Sequence, residues 1–242
     1  MSRYFIIGNF GDPSIALLQW AIESSLENVT FLAVDTGWSA KGWNKRISRC
    51  RQYAVKHDVK VEILQAKQSF TEMVSERRQF PSVKFQWCAG FLKGLILNEF
   101  LDEADPFCEA FLLFGKQAAS SRSNQMLTEK VEDSEHYDGR TLLFPLLEYT
   151  NEQTTSLIKK TGLDELNHRS LECEPCIHAS TQDFSRMHAD DITRLAALEK
   201  AIGKSMFENN IIEMNQNNSI KQPLSYQEQF DMGCGSVWGC GE

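Results

Sequence analysis

The chain has 242 residues, 24% charged and 42% hydrophobic, with a net charge of −8. That is enough for one large α/β domain or two small ones with a buried core, and it excludes disorder as the whole answer. The longest strictly apolar runs, such as 110–114, are a few residues against the roughly 18 needed to span a bilayer, and residues 1–10 lack the basic-then-apolar layout of a signal peptide, so a cytoplasmic protein with no membrane contact is expected.

Short β-like runs alternate with amphipathic stretches, the pattern of a parallel sheet covered by helices. Residues 4–7 read as a first strand, followed by a glycine-containing loop, 8–13. Ile15, Leu18, Ile22 and Leu26 are then spaced along one face of a helix. A second strand, 30–34, ends in Asp35-Thr36-Gly37, and a basic helix, 44–57, leads to a third strand at 60–64. Ser69 with Glu72 three residues on is a capping-box pattern. Residues 87–105 read as a helix, 109–114 as a fourth strand running into Gly115, and 140–144 as a last strand. Thr150 and Gln153 open another helix that Gly162 closes. A cysteine and histidine module, 168–178, precedes a helix over 190–202 built on Ile192, Leu195, Leu198 and Ile202. Residues 209–242, rich in Asn, Gln, Ser and Gly, read as a mobile tail. The expected organisation is a nucleotide-binding-type α/β domain over 1–150, a helical extension over 151–208 and a flexible Gly/Cys tail over 209–242.

Charge is uneven. Lys41, Lys45, Arg46, Arg49, Arg51, Lys56 and Lys60 share twenty residues with a single acid, Asp58, a local net of +6 in a chain that is −14 elsewhere. Such a field attracts phosphate or an acidic partner, or is simply a solvated helix face.

The loop between a first strand and first helix, at the carboxyl edge of a parallel sheet, is where α/β proteins hold phosphate on backbone N–H groups and the helix dipole. Gly8–Ser14 occupies that place. After it come Asp35-Thr36-Gly37-Trp38, Trp87-Cys88 with Leu92-Lys93, Gly115 with Ser121-Arg122, and Cys173-x-x-Cys176. In this order the motifs resemble the PP-loop ATP pyrophosphatase superfamily, in particular its phosphoadenosine-phosphosulfate (PAPS) reductase-like branch, over about residues 3–180. The resemblance implies an adenine nucleotide alpha hydrolase-like (HUP, Rossmann-like) α/β fold with a cysteine-containing helical extension. It also implies binding of ATP and Mg²⁺ or a nucleotide sulfate.

In that family an SGGxDS loop holds the phosphates. Here Asn9-Phe10-Gly11-Asp12-Pro13-Ser14 keeps the second glycine and the final serine and replaces the first serine, the first glycine and the aspartate. Asn9, Phe10, Gly11 and Ser14 are the implied phosphate contacts, and Asp12 stands one place from the expected carboxylate. Asp35, Thr36 and Gly37 correspond to the edge beside the adenosine half. Gly115, Lys116 and Arg122 correspond to a further phosphate-contacting segment, with Gln117 where Arg is usual.

Seven cysteines cannot all pair, and in a reducing compartment they point to metal ligation or thiol chemistry. Cys173-Glu174-Pro175-Cys176 has the spacing that lets two thiolates grip one centre. The resemblance adds Cys88 to make three ligands of a [4Fe–4S] cluster. Cys108, Cys234 and Cys240 are candidates for a fourth. A structural zinc with His168 or His178 completing the set is the alternative, as is no metal at all. Cys50 reads as a packed residue. Cys234 and Cys240, each between glycines, are the implied sulfur-carrying or catalytic tail thiols, with idle thiols as the plain alternative.

The functional expectation is an ATP-dependent sulfur-transfer component of bacterial DNA phosphorothioation of the DndC/SspD type, working beside a cysteine desulfurase with DNA as substrate. A thiol-dependent PAPS or APS reductase, a tRNA thiolation enzyme and a non-catalytic cluster-binding scaffold are the other readings. Assembly into a homo-oligomer is left open.

Overall fold

The computed structural model describes residues 2–121, 124–166 and 168–208, together with Ile211 and Trp238. The described elements run β1 (Tyr4–Ile7), α1 (Asp12–Glu23), β2 (Val29–Asp35), α2 (Trp43–Lys56), β3 (Lys60–Gln65) and α3 (Phe70–Arg77). Next comes a helical run, α4, made of Trp87–Ala89, a π-turn over Gly90–Gly94, and Leu95–Ala104. It is followed by β4 (Phe111–Leu113), β5 (Lys130–Val131), β6 (Thr141–Leu143), α5 (Asn151–Thr161), α6 (Thr181–Arg186) and α7 (Ala189–Ile202). No helix among the described residues is long and apolar enough to cross a membrane.

The sheet order is β3-β2-β1-β4-β6-β5, parallel except for β5 against β6. This is the α/β class the sequence predicts. β1 is flanked by β2 on one side and β4 on the other, so the strand order reverses at β1, and the crevice beyond its carboxyl end is the topological switch point where such sheets bind ligands. Alternate side chains of each strand serve opposite layers. Ile6, Phe31 and Leu113 meet α1, α2 and α5, while Phe5, Ile7, Leu32 and Leu112 meet Ile96, Leu97 and Leu101 of α4. A third cluster lies at the carboxyl edge, where Trp38, Phe70, Trp87 and Leu92 pack with Leu195 and Leu198 of α7.

Local signals in the sequence account for most boundaries. The Ser69/Glu72 and Thr150/Gln153 capping boxes form as expected, and Gly162 closes α5 in the left-handed conformation. Several expectations need correction. Leu26 lies beyond α1 although it still packs on the core. The strand expected over 109–114 shortens to 111–113 because the Glu109 and Ala110 N–H groups donate to the Asp105 carboxylate (3.2 and 3.1 Å), which also accepts from Arg140 Nε (3.0 Å). The antiparallel edge strand β5 and the helix α6, with its Ser180/Asp183 capping box, were not anticipated. The expected tail over 209–242 lies outside the described residues apart from Ile211 and Trp238.

Candidate functional site

The loop after β1 is tied by its own polar groups. Asn9, 2% exposed, accepts at Oδ1 from the Gly11 N–H (2.9 Å). Ser14 Oγ lies 3.0 Å from Gly11 O and accepts from the Asn9 N–H (3.4 Å). Phe10, which stands where the family pattern has its first glycine, adopts φ +62°. A phenylalanine pays roughly 1–3 kcal/mol in that region. Its ring is buried and stacks on Phe31 at 5.0 Å between centroids, which offsets the strain. The segment after β4 closes on the same loop: a Cβ on Gly115 would lie 2.4 Å from the Pro13 carbonyl oxygen, so only glycine permits this approach.

Asp12 opens α1, and both its carboxylate oxygens are engaged. Oδ1 pairs with Arg46 (2.9 Å) and Oδ2 accepts from the Leu166 N–H (2.8 Å). Arg46, itself buried, also donates to the Phe10 carbonyl (3.2 Å) and to the Asp164 carbonyl. Burial pushes the Asp12 carboxyl above its ordinary range, opposed by the Leu166 hydrogen bond and the Arg46 charge. Asp12 clamps the phosphate-type loop to α2 and the turn before the cysteine module, and the catalytic role expected of it would require breaking that clamp.

Beside the loop, a shallow hollow is lined by Asn9, Phe10, Val34, Asp35, Trp43 and Glu172, on the edge where the resemblance implies the adenosine half of a nucleotide. Asp35 Oδ1 accepts from the Gly37 N–H (2.9 Å), which shapes the turn. Thr36 is buried, with Oγ1 3.6 Å from Cys173 Sγ. Lys116 is buried. Gln117 is fully used in structure, donating to Tyr149 O (3.0 Å) and Thr154 Oγ1 (2.8 Å). Arg122 lies outside the described residues.

Cys88, Cys173 and Cys176, half-buried, all line one cleft partly open to solvent; His178 lines it too. Among the described residues no three His, Cys, Asp or Glu side chains stand close enough to hold a metal ion. The structure therefore gathers the three cysteines around a common space without closing them on a point. Burial and the nearby Arg169 push the His178 imidazole down to about 4, while His168 turns its Nδ1 to the Arg169 carbonyl (2.7 Å). Cys108 precedes β4 and so sits at the amino edge of the sheet, away from the cleft; it is removed from the ligand candidates. Cys50 is 1% exposed, and desolvation pushes its thiol up to about 11, in keeping with a packed residue. Cys234 and Cys240 lie outside the described residues.

The cysteine loop is held from the turn after β2 and from α7. The Glu174 N–H donates to the Trp38 carbonyl (2.8 Å), Trp38 Nε1 donates to the Pro175 carbonyl (3.2 Å), and Arg194 lies over the Trp38 ring at 4.0 Å. Glu172 joins this loop to the phosphate-type loop: its Oε1 accepts from Lys93 Nζ and from Asn9 Nδ2 (3.4 Å). Sequence reasoning missed Glu172, Arg46 as clamp, and Arg194. Only Glu172 carried a signal, its position next to Cys173.

No family model matches the chain. It is 25% identical over 143 residues to an uncharacterised 37.8 kDa protein of Escherichia phage 186, a match covering 55% of this chain and 43% of that protein. Among solved structures, it is similar to PAPS reductase from Candida auris (TM-score 0.49, 15% identity, covering 68% of this chain and 75% of that one). It is also similar to the U34-tRNA thiolase NcsA from Methanococcus maripaludis with its [4Fe–4S] cluster (TM-score 0.49, 13% identity, 95% and 72%). A third is the NH₃-dependent NAD synthetase from Campylobacter jejuni (TM-score 0.45, 14% identity, 90% and 82%).

Proposed function

We propose that this chain is a nucleotide-dependent sulfur-transfer protein that holds ATP at the switch point of its sheet and handles sulfur in the adjoining cysteine cleft. The observation that carries this reading is the Asn9–Glu172–Lys93 connection. One carboxylate bonds the phosphate-type loop and the helix that carries Cys88, and is followed directly by Cys173. Phosphate chemistry and thiol chemistry then share one polar network.

In this reading the ATP phosphates meet the loop of Asn9, Gly11 and Ser14, the adenosine lies in the hollow beside Asp35, and Mg²⁺ arrives on the phosphates, since both oxygens of Asp12 are occupied. Lys116 supplies positive charge near the carboxyl edge, whereas the Lys93 charge is met by Glu172. The donor set of Cys88, Cys173 and Cys176, soft thiols on one half-buried cleft, suits a [4Fe–4S] cluster better than a hard cation. When bound, such a cluster supplies a polarisable iron–sulfur surface on which sulfur can be held. The role of the protein is to keep the cleft walls, Trp38 and Leu92, apolar around it.

The finer reading is DNA phosphorothioation. A backbone phosphate oxygen attacks the α-phosphorus of ATP and pyrophosphate leaves. The terminal sulfur of a persulfide on a partner cysteine desulfurase then attacks the activated phosphorus and AMP leaves. A second thiolate cleaves the resulting S–S bond, giving the phosphorothioate and a disulfide. Purified protein with ATP, Mg²⁺, desulfurase and DNA is expected to release pyrophosphate and to label DNA from ³⁵S-cysteine; no pyrophosphate release with or without the desulfurase overturns the reading. Sulfite formed from PAPS and thioredoxin would replace it with the reductase reading, which the same cysteine cleft also favours. Anaerobically purified protein is expected to be brown, with absorbance near 400 nm that a Cys173→Ser/Cys176→Ser variant loses. Colourless protein containing zinc overturns the cluster.

A further inference from the structure

Between Glu76 and Glu99 the chain has no acidic residue and four cations, Arg77, Arg78, Lys84 and Lys93. This stretch forms one rim of the cysteine cleft, which its Gln86, Cys88, Leu92 and Lys93 line. Lys93 turns inward to Glu172, whereas Arg77, Arg78 and Lys84 are exposed. With them three large apolar side chains face solvent: Phe85 at 56%, Phe91 at 48% and Leu95 at 50% exposure. The Arg77 guanidinium lies 4.7 Å from the ring centroid of the exposed Phe91 and 5.1 Å from that of the buried Trp87, so a cation and an exposed aromatic ring stand side by side here.

The basic helix α2, the more conspicuous positive stretch in the sequence, is differently placed. Arg46 is consumed by the Asp12 clamp, Arg49 pairs with Asp164, and Lys41 just before the helix pairs with Asp190. On a chain of net charge −8, the acid-free rim with its exposed rings is the surface best suited to a polyanion that also carries flat apolar groups. A peptide of acidic residues alone would answer the cations and leave the phenylalanines to water. Nucleic-acid bases answer both, because every base has a π-face and every linkage a phosphate.

We propose that this rim docks a nucleic-acid strand with unstacked bases. The bases stack on Phe85 and Phe91, and the phosphates pair with Arg77, Arg78 and Lys84. The inference rests on the proposed sulfur-transfer reading only in that the segment docking the strand also supplies Cys88 and Leu92 to the cysteine cleft. Binding itself needs neither ATP nor cluster.

The test is fluorescence anisotropy of the full chain with labelled oligo-dT, oligo-U and a duplex of equal length, in the absence of ATP. At least one single strand is expected to bind at least tenfold more tightly than the duplex, and the better of the two identifies the strand as DNA or RNA. Three neutralised phosphates predict a slope of about −2 for log K against log salt. Phe91→Ala is expected to weaken binding about tenfold, and Arg77→Ala/Arg78→Ala/Lys84→Ala to bring the slope near zero, with unchanged circular dichroism in both. A Lys45→Ala/Arg51→Ala control on α2 is expected to bind as the parent does. The proposal is overturned if neither strand binds at low salt, if the α2 control loses binding while the rim variant keeps it, or if polyglutamate competes as well as the strand. ATP binding by the same variants reports separately on the proposed function.

Discussion

Lys93 Nζ donates to Glu172 Oε1 with the two side chains only 5% and 13% exposed, a salt bridge between the helix that carries Cys88 and the segment that carries Cys173. Removing one member of a buried pair leaves the other charge in a medium of low polarity, typically at a cost of about 3 kcal/mol or more. Glu172→Ala is therefore expected to lower the urea midpoint strongly, and Lys93→Met/Glu172→Leu to recover much of the loss. A double variant no better than the sum of the single ones would show that the pair is not coupled.

The Asp12 clamp has a pH signature. Burial raises the folded-state pKa of Asp12 above 3.8, so just above 3.8 the folded protein holds more of this proton than the unfolded chain. The contribution of Asp12 to stability is then fully present below 3.8 and is lost as pH rises through its folded value. Asp12→Asn is expected to remove that component, so that the stability of the variant falls less, or rises more, with pH across this window than that of the parent. Parallel profiles for parent and variant would refute the assignment. At neutral pH, Asp12→Ala, which leaves Arg46 and the Leu166 N–H without this acceptor, is expected to cost about 2 kcal/mol or more.

Cys50 combines near-complete burial with a thiol pushed up to about 11. At pH 8 its thiolate fraction is on the order of one in a thousand. Iodoacetamide on the native protein is expected to leave the Cys50 peptide unmodified in mass spectrometry and to alkylate it once the protein is denatured. Labelling of native Cys50 as fast as of an exposed thiol would show that α2 opens.

Gly94 seats an indole. A Cβ there would lie 2.5 Å from Trp238 Cε2, and the same indole meets the Tyr137 ring edge-on at 5.0 Å. Alanine inside a helix is ordinarily worth about 1 kcal/mol over glycine, so the sign of Gly94→Ala depends on Trp238. In a Trp238→Ala background the substitution is expected to stabilise, whereas with Trp238 present it is expected to destabilise and to red-shift tryptophan emission. The same gain in both backgrounds would mean that the seat is not occupied in solution.

Periodicity and local chemistry made most of the scaffold legible: the parallel strands, α1, α2 and α7, and the two capping boxes at Ser69 and Thr150 all depend on neighbours within a few residues. Asn9 and Thr36 follow parallel strands and Cys88 opens a helix, so local signals bear on their place in the sheet, whereas Cys173, in the long loop between α5 and α6, has no such neighbour and only the tertiary structure places it. The two-residue strand β5 gave no periodic signal, because too few side chains alternate.

What the sequence by itself determined, then, is the α/β class, the order of the loops along one edge and the set of thiols available there. What only the tertiary structure decided is how each charged side chain is used. Asp12 goes to Arg46 rather than staying free on the loop, α2 loses that one cation to a buried pair, and Glu172 bridges Asn9 and Lys93. Cys108 falls at the far edge, while the rim over residues 77–95 keeps its exposed cations and rings. These outcomes depend on partners 34 to 163 positions apart, and no local pattern encodes them, because a charge is satisfied by whatever the fold brings within about 3 Å.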